Sequence, residues 1–298
     1  MKLNVFVTLL VSSVLMLASI NKATASTSAN TPNSNNSTTT SVTNIAVVAP
    51  AVSTANFRFD VRVTRSTNLI DFQDGTRNDS LGYEFTPTMV TSFGTFITSI
   101  SYSQNLRDKY STTASDWGDI PVIFAFPSST WKWSARTVKL SYSLTGIVPV
   151  SKYSVIRDQL QTALSGRIGL SLMPSDGPGF GTSIGLSLGR NFHAYEENIN
   201  GNNLNQYSSN QSIGINYVNG DWSFSVDFSN RTSVTYKNSV KSLFDINEEI
   251  GYSINDNISC SIGHTNAGST LRANGTDSNI NLYNENNSTV YGTLGLSY

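Results

Sequence analysis

The chain has 298 residues, 13% of them charged and 10% aromatic, with a formal net charge of −1. That is about half the charged fraction of a typical soluble protein, without the composition of a disordered chain or of helical membrane spans. The near-neutral balance argues against nucleic acid as a partner, and the lone Cys260 excludes an internal disulfide and any Cys-based zinc site.

Residues 1–25 read as a secretory leader: Lys2, an apolar run from Val5 to Ile20, then Ala23-Thr24-Ala25 as a small-x-small cleavage site. No Cys follows that site, which argues against a lipoprotein. Residues 26–55 are rich in Ser, Thr and Asn and then in small apolar residues, the composition of a tail. From Asn56 to Tyr298 the dominant pattern is period-2 alternation, the sign of strands with one apolar and one wet face. Val155 to Leu164 is the nearest competitor for a helix.

The first predicted strand, Phe57 to Arg65, sets Phe57, Phe59, Val61 and Val63 against Arg58, Asp60, Arg62 and Thr64. The second carries Leu81, Tyr83, Phe85 and Met89, and turns near Phe93-Gly94 into a third with Phe96, Ile100 and Tyr102. The fourth presents Val122, Phe124 and Phe126. A turn is predicted at Pro127-Ser128-Ser129, then a fifth strand from Trp131 and Trp133 to Val138, Leu140 and Tyr142, with a bulge where its parity shifts. The sixth and seventh strands (Leu164 to Leu172, Phe180 to Leu188) join at Pro174-Ser175-Asp176-Gly177. The eighth (Ile213 to Tyr217) meets the ninth (Trp222 to Phe228) at Asn219-Gly220, a strong hairpin signal. A tenth (Phe244 to Tyr252) turns at Asn255-Asp256 into an eleventh (Ile258 to Ile262), and a twelfth closes the chain as YGTLGLSY.

Connections are predicted long after odd strands and short after even ones. This order, with aromatics at the short-turn ends and the terminal Tyr298, resembles Gram-negative outer-membrane β-barrels over residues 56–298. The expected fold is all-β: one antiparallel up-and-down transmembrane barrel of about twelve strands. The resemblance implies export to the outer membrane, lipid around the wall, barrel-assembly machinery engaging the C-terminal strand, and small polar solutes as partners. A homo-oligomer is compatible with it.

Parity turns Arg58, Asp60, Arg62, Glu84, Lys139, Arg167, Asp227, Asp245 and Glu249 inward, as pore-lining candidates. Gly181, Ser183, Gly185, Ser187 and Gly189 leave room along the seventh strand. Glu248 falls on the apolar parity and stands out as the exception. Phe57, Phe93, Phe126, Trp131, Trp133, Tyr217, Trp222, Tyr252 and Tyr298 are expected to form a membrane-interface girdle. A narrow water-filled channel for passive diffusion of small solutes or ions is the leading functional expectation. The alternatives are an occluded barrel acting through its surface loops, a translocator, and a hydrolase. His193 and His264 are the only histidines and lie on strands that are not neighbours, so no catalytic residues, cofactor or metal are expected.

Overall fold

The computed structural model of the protein describes residues 57–69, 79–107, 115–175, 177–272, 274–285 and 287–298. The predicted leader, the 26–55 tail and Asn56 lie outside them. Chain order runs β1 (Phe57–Asn68), β2 (Asp79–Thr91), β3 (Gly94–Thr98), β4 (Ile100–Asn105), β5 (Ser115–Trp117), β6 (Ile120–Ala125), β7 (Ser129–Trp133) and β8 (Arg136–Val148). It continues with β9 (Leu160–Pro174), β10 (Gly179–His193), β11 (Asn205–Asn219), β12 (Trp222–Thr235), β13 (Val240–Ser253), β14 (Ile258–Ser269) and β15 (Ser288–Ser297). β3 with β4, and β5 with β6 and β7, each make one broken stave, so the segments form twelve staves. Each stave pairs antiparallel with the next, and β1 pairs with both β2 and β15, which closes the barrel. Closure leaves no sheet edge, the condition a strand-built protein must meet in lipid.

Alternation along each stave then sorts the side chains. Val61 lies opposite both Phe85 and Leu296, and Ile215 opposite Val226 on the same face. Large apolar residues on this parity, such as Phe57, Ile184, Ile213, Phe224, Ile262 and Leu294, are exposed. The polar parity faces the axis. The molecule is thus apolar outside and polar inside, the inverse of a soluble barrel, and its wall is matched to acyl chains.

The predicted reversal at Pro127-Ser128-Ser129 is corrected. The fourth stave continues through it: Ala125 is opposite Ser143 but Ser129 is opposite Leu140, so the four steps on this side match three on β8. Pro127 has no N–H to give the ladder, and such residues are tolerated at bulges. The chain reverses instead at Ser134-Ala135, where Ser134 has φ +55° and Trp133 faces Arg136. Trp131 and Trp133 therefore belong to the fourth stave, and the parity change read as a bulge inside the fifth is this hairpin.

A second difference lies after the ninth stave. β12 and β13 extend beyond their apolar cores, and only residues 236–239 connect them, with Asn238 at φ +61°. The Ser/Thr/Asn-rich stretch that reads as loop is mostly ladder, because its backbone pairs regularly through Val234 opposite Val240. The Asn219-Gly220 signal holds closely: Asn219 faces Trp222 and Gly220 takes φ +58°. Tyr153–Arg157 forms a single π turn where the sequence came closest to helical periodicity.

Candidate functional site

The candidate site is the lumen, built by the inward parity of all twelve staves. Every pore-lining candidate falls on that parity. Arg62 is opposite Glu84 and Gly295, Asp60 opposite Ser297, Lys139 opposite Ser171, and Arg167 opposite Ser187. Asp227 is opposite Gly214 and Asn247, Asp245 opposite Ser229, and Glu249 opposite Ser225 and Gly263. Arg58, opposite Thr88, lies nearest the short-turn end of β1.

Neighbouring small residues let these side chains lie along the wall. A Cβ on Gly185 would stand 2.9 Å from Arg167 Nη2 and 2.6 Å from Ser212 Oγ, so the guanidinium crosses β10 over bare backbone. Arg167 Nη2 also reaches Ser212 Oγ at 3.4 Å. Asp227 similarly leans over Gly214, and the Tyr291 ring lies on Gly263, its direct cross-strand partner. An aromatic ring covering a cross-strand glycine supplies the packing that the glycine lacks. The Tyr291 hydroxyl donates to Glu249 Oε2 at 2.8 Å and stands 2.9 Å from the Asn247 amide. Arg167, Ser212, Asp227, Asn247, Glu249 and Tyr291 form a polar belt across β9 to β15.

Elsewhere hydroxyls hold the acids: Ser99 donates to Glu84 at 2.6 Å, and Ser297 donates to Asp60 at 2.5 Å. Arg62 faces Glu84 across the ladder and Arg58 faces Thr88, yet among the described residues no ion pair forms between lumen-facing acids and bases. The ion pairs found are Arg65–Asp79, Arg157–Asp158, Lys237–Glu197 and His264–Glu248, all on the rim, loops or outer wall. Charges left unpaired inside a protein require water.

Sequence reading missed lumen residues that parity could have supplied. Arg231 lies opposite Asn210, Lys132 opposite Thr137 and Lys241 opposite Ser233, all inward. Arg231 and Lys241 escaped because their stretch reads as loop, and Lys132 because it falls in the predicted fifth strand just before its parity shift. Tyr291 escaped because an aromatic near a strand end reads as interface.

Of the girdle residues, Phe57, Phe126, Trp131, Trp133, Tyr217, Trp222, Tyr252 and Tyr298 stand on the outward parity toward the short-turn rim, and Phe93 sits in the β2–β3 turn. Trp222 packs on Tyr252 at 4.8 Å and Phe59 on Tyr298 at 5.4 Å between ring centroids. At the opposite rim Tyr102 meets Trp117 at 5.1 Å, and Arg190 lies over Phe192 and Tyr207. The two histidines are far apart in the strand order. His193 contacts Tyr236 at the loop-side end of β10, and His264 faces outward beside Glu248.

A side chain at Gly185 must displace Arg167 into the lumen. Gly185→Leu is expected to lower the unit conductance of any open state while the barrel still folds, as read by single-channel recording alongside heat-modifiable gel mobility.

The chain matches no described protein family and no curated protein. Among solved structures it is similar to an outer-membrane channel of Pseudomonas putida F1, at 7% identity and a TM-score of 0.56, covering 84% of this chain and 98% of that one. It also aligns with the NanC porin at 14% identity and a TM-score of 0.46, over 80% and 98% of the two chains. A third alignment, with OccK8 of Pseudomonas aeruginosa, has 6% identity and a TM-score of 0.40 over 82% and 97%. The likeness is one of fold: the protein is an outer-membrane-type β-barrel.

Proposed function

We propose that the protein is a narrow, water-filled channel through which small polar solutes or ions diffuse passively. The observation that carries this reading is the set of unpaired lumen charges of both signs. Side chains that plugged the barrel would pair Arg62 with Glu84, which face each other, and bury the pair. A hydrated path leaves them separate, and the glycine and serine wall of β10 gives that path width. Arg58, Asp60, Arg62, Glu84, Lys139, Arg167, Asp227, Asp245 and Glu249 would line it, joined by Lys132, Arg231 and Lys241. No covalent chemistry is part of the proposal.

Refolded protein in a planar bilayer is expected to give discrete, voltage-tolerant openings with ohmic current. Repeated insertion, verified by folded gel mobility, without any step in current would reject the channel.

A surface-binding barrel is the second reading, favoured by the order of the loop-side connections. Arg157 O accepts from Ile199 N at 3.1 Å, Gln159 O accepts from Ala194 N at 3.0 Å, and Lys237 pairs with Glu197. These contacts knit the connections around a shallow cavity of about 430 Å³ lined by Gln159, Tyr195, Glu196, Glu197, Asn198 and Ile199. On that reading the loops would bind while the bilayer stayed silent.

A further inference from the structure

The outward wall of β11 to β14 breaks the apolar rule. Asn230 Nδ2 donates to Gln211 Oε1 at 2.9 Å, Gln211 Nε2 donates to Ser209 Oγ at 3.1 Å, and Ser242 Oγ donates to Asn230 Oδ1 at 3.2 Å. All four share the parity of Ile213, Val226 and Phe228. Glu248, the exception in the sequence, lies on this parity with no register shift around it, directly opposite His264, whose Nδ1 is 3.6 Å from the carboxylate. The side chain of Glu248 is 43% exposed.

The depth of these groups matters. Gln211 faces Asn230 six residues above the Tyr217–Phe224 pair of the girdle. At about 3.3 Å per residue and a tilt of about 45° that is roughly 14 Å, inside an apolar band about 25 Å tall. Glu248 is four residues above Tyr252, roughly 9 Å by the same arithmetic. Acyl chains offer such groups no hydrogen bond.

The same wall carries irregular chain. The 270–287 connection folds back on it: Asn266 Nδ2 donates to Asn281 O at 2.6 Å, Tyr283 stacks on His264 at 6.3 Å, and Phe244 and Ile246 are buried although they face outward. Irregular backbone at membrane depth is stable where protein covers it. The connection meanwhile exposes Leu282 and Tyr283.

We propose that this wall is the contact between two copies of the chain. Carboxamides and hydroxyls donate and accept alike, so the Ser209–Gln211–Asn230–Ser242 ladder is complementary to itself across a two-fold axis. Gln211 and Asn230 stand at one depth, so an axis along the membrane normal through their rung sets each ladder against its copy. The inference needs only the barrel and its outward face, so it stands or falls independently of conduction.

The test is disulfide cross-linking of the full chain in native outer membranes, in a Cys260→Ser background. Asn230→Cys beside the axis is expected to give an oxidant-dependent dimer, whereas Tyr83→Cys on the far wall, also outward and exposed, gives none. Heat-modifiable mobility shows that each variant is folded. Absence of the Asn230→Cys dimer, or equal cross-linking from both walls, would overturn the proposal. So would lipopolysaccharide co-purifying with the wild-type chain when no dimer forms.

Discussion

Replacing Asp227, Asp245 and Glu249 with their amides is expected to shift the channel's ion preference toward anions. The three carboxylates line adjacent staves β12 and β13, whereas Lys132, Lys139 and Arg167 lie on β7, β8 and β9, and Arg58 and Arg62 on β1. With the amides in place, Asp60 and Glu84 are the acids left on the spanning wall among the pore-lining candidates. An ion passing about 10 Å from one carboxylate in water feels about 0.4 kcal/mol. Three of them sum to about 1.2 kcal/mol for a single ion, roughly eightfold before screening and roughly twofold at physiological salt; cation and anion shift oppositely, so their permeability ratio changes about threefold at that salt. Reversal potentials across a salt gradient measure it. An unchanged reversal potential in a conducting variant would place these carboxylates off the ion path.

The second large effect separates the two faces of a single strand. Ile184 points outward on β10, opposite Leu170 and Ile213, while Ser183 points inward, opposite Ser171 and Gly214. Ile184→Arg sets a guanidinium against acyl chains and is expected to cost about 2–4 kcal/mol of folding free energy. Ser183→Arg adds the same group to the watery side. It is expected to leave stability within about 0.5 kcal/mol while reducing cation conductance, because a solvated substitution with no like charge opposite costs little. Reversible denaturant titration in lipid vesicles reads the first and bilayer recording the second. Equal stability losses for both variants would contradict the assignment of faces.

Much of this architecture was legible because a barrel in lipid imposes a simple rule, apolar out and polar in at every second residue. Strand parity placed Asp227 and Glu249 inside and Phe224 and Ile250 outside without any knowledge of register. The rule was silent where the backbone departs from it. Pro127 reads as a turn residue but sits in a bulge, because whether the chain reverses or continues depends on the ladder offered by β8. The polar stretch around Arg231 and Lys241 reads as loop, since its outward parity carries Asn230, Thr232 and Ser242 where apolar residues would mark a strand. The rest of the site depends on which staves adjoin. That Tyr291 lies on Gly263, or that Arg167 extends over Gly185, follows from cross-strand register. Glu248 was flagged by parity and its placement was right; what the sequence could not supply was the facing His264 and the connection folded over it.

The glycine-bearing stave has a last consequence. In the ring of twelve, β10 stands half a turn from β1, and the Arg167 guanidinium drawn over Gly185 covers it, so cations stand on both sides of the lumen, Arg167 on one and Arg58 with Arg62 on the other. On the channel reading, a traversing molecule with electron-rich groups at opposite edges would meet a guanidinium on each side, so orientation during transit, as well as size, would govern what gets through.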